Sequence, residues 1–167
     1  AAAVAIHDAE VSRWLDGAPQ TNGARRSAAL TGAICGLGWA RVEVLEIGAS
    51  AGLGLGFDGY RFDLGEGRGW GPRDASVRIE SEWRGSTPAP RPFAVEARAG
   101  CDIAPIDARD PAQRARMLAY IWPDQPARRA MLERALSHVA AQDWRVERAD
   151  AAEWAAARLS APQPEGR

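Results

Sequence analysis

The segment from Val42 to Gly56, VEVLEIGASAGLGLG, constrains the fold more than any other part of the chain. Val42, Val44, Leu45 and Ile47 form a run that is apolar except for Glu43 and Glu46, the pattern of a strand buried on both faces of a parallel sheet. Glycines follow immediately. In open α/β sheets ligands bind beyond the carboxyl ends of the strands. A residue without Cβ takes positive φ and lets the backbone approach a ligand closely. The expected local order is strand, glycine turn, helix start.

The flanking sequence extends this pattern. The alanine-rich opening predicts a helix ending near Gly17, and a turn cluster, Ala18 to Gly23, follows it. Ala28, Leu30, Ala33, Ile34 and Leu37 recur at near-helical spacing, with Thr21 or Asn22 as cap and Gly36 and Gly38 as the stop. From Gly59 to Pro92 the chain is rich in Gly and Pro and carries short alternating runs such as Val77-Arg78-Ile79, which predicts one or two short strands outside the main sheet. Phe93 to Arg98 predicts a second sheet strand, ending at Gly100-Cys101-Asp102. Asp110-Pro111 predicts a helix start, because an acceptor side chain stands at the cap and proline at the first turn. Pro123 ends that helix, and Asp124 and Pro126 start another that runs to about Ala141. Trp144 to Ala149 predicts a short strand, Ala151 to Leu159 a last helix, and APQPEGR a loop. Strands alternating with helices imply an α/β layer architecture with a parallel sheet. Residues 1–40 form an N-terminal helical segment and 41–167 the α/β domain, with residues 59–92 as a small β excursion. Three sheet strands are few for an open doubly wound sheet, so the expectation is part of a longer chain.

Composition narrows the chemistry. The 167 residues carry 21 basic and 22 acidic side chains, and every basic one is arginine. A P-loop needs its phosphate lysine, and a pyridoxal Schiff base also needs lysine, so both are excluded within this sequence. Cys35, Cys101, His7 and His138 are too dispersed for a structural zinc site, so no metal is expected. A net charge of −1 argues against nucleic-acid or membrane-surface binding. No stretch is apolar enough to span a bilayer, and AAAVAIHDAEV lacks the basic leader of a signal peptide, so the expected location is cytoplasmic.

Three chemistries suit the glycine turn. A dinucleotide fold requires G-x-G-x-x-G, but Gly52 and Gly54 are followed by Phe57 where the third glycine should fall. A serine hydrolase elbow, G-x-S-x-G, is met literally by Gly48-Ala49-Ser50-Ala51-Gly52, with His138 the one histidine after Ser50. Third, Glu46-Ile47-Gly48-Ala49-Ser50-Ala51-Gly52 resembles the E/D-x-G-x-G-x-G turn of class I S-adenosylmethionine-dependent methyltransferases, with Ser50 at the middle glycine. That resemblance implies a Rossmann-like, methyltransferase-type sheet with flanking helices. Gly48, Ser50 and Gly52 would line the methionine part, whose carboxylate suits N–H groups at a helix start. Glu46 would place negative charge near the cationic part. GCDIAPID resembles the end of the second strand, making Asp102 the ribose acid. VERADA resembles the end of the third, making Asp150 the adenine partner. The ribose acid usually lies about 20 residues past the glycine turn, so either residues 59–92 are inserted before Asp102 or Asp63 takes that role. A non-catalytic nucleoside-binding scaffold, or a tight turn with no ligand, fits the same residues.

PQTN with RSAAL, then LEIGASAGL, WRG, GCDIAPID and LAYIWPDQ together resemble the bacterial family called domain of unknown function 2332, over nearly the whole sequence. The resemblance implies a longer chain with a further strand, and an unassigned activity. Gly54 departs from the larger polar residue expected there. Asp124 and Gln125, between prolines, are candidates to face a small-molecule or protein acceptor.

Overall fold

The computed structural model describes residues 5–15 and 23–160. It is a mixed α/β protein built on a three-stranded parallel sheet. Helix α1 covers Asp8–Leu15; Gly17, the possible caps Thr21 and Asn22, and the tail at 161–167 lie outside the described residues. A 3-10 turn, Ala24–Arg26, leads into α2, Ser27–Leu37. Gly36 stays within that helix. Gly38 closes it, donating its N–H to the Ile34 and Cys35 carbonyls. The buried face of α2 includes Gly32, where a Cβ would lie 2.8 Å from the Trp83 ring and 2.9 Å from Trp70.

Strand β1, Arg41–Ile47, follows. Two rows alternate along it, one exposed and one half-buried, rather than both being buried as its apolar run predicts. The reason is position. β1 is an edge strand, and Leu45 and Ile47 on its uncovered row are 38% and 59% exposed.

The helix expected after the glycine turn is absent. Residues 49–56 pass through successive turns into a 3-10 turn, Phe57–Gly59. Glycine costs about 1 kcal/mol per residue in a helix, and five of the twelve residues from Gly48 to Gly59 are glycine. Positive φ at Gly48, Ser50 and Gly52 also breaks any helical run. The segment forms a strap across the sheet, and its Ala49, Leu53, Leu55 and Phe57 are fully buried.

The excursion holds three short strands: β2, Arg61–Asp63; β3, Gly69–Trp70; and β4, Arg78–Glu80. β3 pairs antiparallel to β2, and β4 parallel to it, in a separate sheet ordered β3-β2-β4. Its inward side chains, Phe62, Trp70 and Ile79, join the core. The chain then returns as β5, Ala94–Asp102, parallel to β1, with Ile47 opposite Cys101.

Helix α3, Pro111–Ala119, begins as its sequence predicts: the Asp110 carboxylate accepts from the Ala112 and Gln113 N–H groups. Helix α4, Pro126–Ala140, has Gln125 rather than Asp124 at its N-cap position, with no side-chain cap hydrogen bond, and packs Leu132, Ala135, Leu136 and Val139 into the core. Strand β6, Val146–Arg148, pairs parallel to β5, which completes the order β1-β5-β6. Helix α5, Ala151–Ser160, ends the described chain. Among the described residues no helix is long and apolar enough to cross a membrane.

Candidate functional site

The carboxyl ends of β1, β5 and β6 lie side by side, and five of the six predicted site residues stand on or just past them; Gly52 is further into the strap. Gly48 follows β1 directly, at φ +64, exposed, with nothing within 4 Å of where a Cβ would stand. Ser50 takes φ 54, a left-handed conformation rare outside glycine. Its N–H donates to Asp102 Oδ2 at 2.8 Å, and its carbonyl accepts from Ile106 at 3.1 Å. Asp102 Oδ1 accepts the Ala104 N–H at 2.8 Å, and the Asp102 carbonyl accepts from Ala149 at the end of β6. One buried carboxylate therefore ties the glycine turn to the loop after β5. Asp150 is exposed and uses Oδ1 to receive the Ala152 and Glu153 N–H groups at the start of α5.

The other predicted residues turn away from this row. Glu46 folds its carboxylate over Gly54, where a side chain would collide with it; this explains why a larger residue is not accommodated at that position. Gly52, at φ +75, lies beneath the Trp144 ring, 2.5 Å from where its Cβ would be. Asp63 sits in the small sheet, 2.9 Å from Arg61 and 3.5 Å from Arg78. The strand beside β1 is β5, so topology puts Asp102 and not Asp63 at the end of the neighbouring strand.

Two cavities flank the turn. One, of about 260 Å³, is lined by Ala51, Asp107, Arg109, Gln113 and Trp144. The other, of about 210 Å³, lies between α2 and the edge of β1 and is lined by Arg26, Ser27, Leu30, Leu45, Glu46 and Gly54.

The turn does not open a helix, so no helix N-terminus stands at Gly48 to meet a carboxylate. A hydrolase elbow also requires strand, turn and helix. Here the Ser50 hydroxyl is enclosed, with no hydrogen-bond partner in the described residues, and His138 packs against Tyr60, Gly56 and Gly59 instead.

Sequence reasoning missed the groups that hold the strap down. Arg98 of β5 makes a two-point ion pair with Asp58 at 2.7 and 2.8 Å, and Asp58's hydrogen bond raises the guanidinium pKa further. Tyr60 donates its hydroxyl to the Leu53 carbonyl at 2.8 Å. Burial, with Glu46 and Asp58 nearby, raises the Tyr60 phenol pKa well above its ordinary value. A charged residue inside AVEARAGCD was the available signal for Arg98.

Comparison with curated proteins and with solved structures returns no match. The family model described as an uncharacterized protein conserved in bacteria, domain of unknown function 2332, matches residues 1–167. The chain, over its full length, belongs to that family.

Proposed function

We propose that this protein binds S-adenosylmethionine at the carboxyl end of its parallel sheet and directs methyl transfer to a small-molecule or protein acceptor. The observation that carries this reading is the alignment of three consecutive parallel strands. The first ends in an open glycine turn, the next ends at Asp102, and Asp150 stands just past the third. In α/β sheets this is the end at which ligands bind. We read the sheet as one half of a Rossmann-like, methyltransferase-type fold.

The residues suit the group on two counts. Gly48 presents bare backbone with space above it, as close approach demands. Asp150 uses one oxygen for its helix, leaving the other to face a base. When bound, the cofactor supplies an electrophilic methyl group. Gly48 and the strap from Ser50 to Gly52 would bound its methionine part, and Asp150 would meet the adenine edge. Asp102, with both oxygens already accepting backbone N–H groups, would offer its remaining lone pairs to ribose while positioning the turn. The orientation of donor and acceptor is what such a site contributes to rate.

Calorimetric titration with S-adenosylhomocysteine tests the reading. Expected is saturable binding that weakens in Gly48→Val and in Asp150→Asn, which keeps the helix cap. Absence of binding to the folded protein would overturn it and leave a scaffold without this cofactor.

A further inference from the structure

The strap from Gly48 to Tyr60 is fastened by side chains for which cofactor binding has no use. Arg98 reaches it from β5, pairing with both oxygens of Asp58 and donating to the Leu55 carbonyl at 2.5 Å. Tyr60 bonds back to Leu53. From the other side, α4 presents His138. Its imidazole occupies the room that side chains at Gly56 and Gly59 would need, and meets the Tyr60 ring edge-on at 5.3 Å between centroids. His138 is half-buried, so protons reach it without unfolding.

We propose that His138 is an acid-sensitive latch: neutral, it holds the strap between α4 and β5, and once protonated it loosens that hold and makes local opening of the strap easier. The charged groups facing it are Asp58 on the strap and Arg98 on β5, with the Tyr60 phenol beside them. Asp58 attracts an imidazolium, but both its oxygens are already engaged by Arg98. A protonated His138 would therefore sit half-desolvated near an existing cation.

Burial is the largest influence and lowers the His138 pKa below its ordinary value; Arg98 lowers it too, while Asp58 and the Gly56 backbone oppose them. A base with a depressed pKa in the closed state stabilises closure fully above its open-state pKa, about 6.5. That stabilisation is lost as pH falls below this value, where the open form takes up the proton first. The latch itself needs no ligand; its effect on the cofactor site rests on the function proposed above.

Hydrogen exchange of peptides spanning residues 49–60, compared between about pH 7.5 and about pH 5 after correction for intrinsic rates, reads the latch directly. Expected is about a tenfold loss of strap protection on acidification, with β5 unchanged, and no such loss in His138→Gln. Equal loss in that variant, or unchanged protection in the natural protein, would overturn the proposal. A second measurement needs no variant. His138 is one of two histidines, and its ring-proton resonance should titrate with a midpoint below that of an exposed histidine. A midpoint at or above that value would overturn the proposal equally.

Discussion

Replacing Asp102 with asparagine changes one oxygen to an NH₂ group at a place where two backbone N–H groups depend on a carboxylate. Ser50 N and Ala104 N each donate to a separate oxygen at 2.8 Å, and the residue is 9% exposed. Hydrogen bonds to a charged acceptor contribute about 1.5–3 kcal/mol each. Asparagine keeps one oxygen, so one N–H retains a neutral bond of about 1 kcal/mol. The other then faces a second donor and is left unpaired, which costs about 1–3 kcal/mol. With about 0.5–2 kcal/mol for the weakened bond, the expected destabilisation is about 1.5–5 kcal/mol, a large part of the roughly 5–15 kcal/mol that holds a domain folded. Urea unfolding followed by tryptophan fluorescence measures it, with the m-value expected to stay constant. A stability within about 0.5 kcal/mol of the natural protein would refute the view that Asp102 anchors the turn. If binding of S-adenosylhomocysteine fell while stability held, Asp102 would be a ligand contact and not a tie between loops.

Substitutions at two further positions probe neighbouring links. Gly52→Ala should cost about 1–2 kcal/mol for its left-handed backbone and about 1–3 kcal/mol for displacing the Trp144 ring, read from the urea midpoint and from a change in tryptophan emission. Asp150→Ala should cost about 1 kcal/mol by removing the α5 cap, while Asp150→Ser should stay near the natural stability because it restores an acceptor; equal loss in both would show that the cap contributes little.

What was legible in the sequence follows the range of the forces involved. Asp110 and Pro111 announced α3 because capping acts within three residues. The parallel pairing of β1 with β5 followed from the alternation of strands and helices. The strap was misread as a helix start because glycine at a strand end serves either purpose. What decides between them is the packing of Trp144, His138 and Arg98 against it, all distant in sequence. The uncovered row of β1 was equally hidden: an apolar run states that burial is favourable and not which neighbours are present to supply it. At the candidate site, the sequence leaves Asp102 and Asp63 both open as the acid beside the glycine turn, and Asp102's commitment to two N–H groups depends on loop geometry that no spacing encodes.

The glycines of the strap separate into two kinds, and the separation bears on whether the turn exists for a ligand. Gly52, Gly54, Gly56 and Gly59 each have another side chain where their own would be: Trp144, Glu46, and His138 for the last two. Packing accounts for all four, joined at Gly52 by its φ of +75. Gly48 has open space, so packing does not explain it, and two reasons remain: its φ of +64 and close approach by a ligand. Asparagine distinguishes them, since it tolerates the left-handed conformation yet adds a side chain. Gly48→Asn should therefore hold stability within about 1 kcal/mol and weaken S-adenosylhomocysteine binding more than about tenfold, equivalent to about 1.4 kcal/mol. Gly48→Ala, with no such tolerance, should lose about 1–2 kcal/mol of stability as well. If Gly48→Asn binds as tightly as the natural protein, then backbone conformation suffices to explain Gly48, every glycine in the strap has a structural cause, and the glycine turn ceases to be evidence for a cofactor.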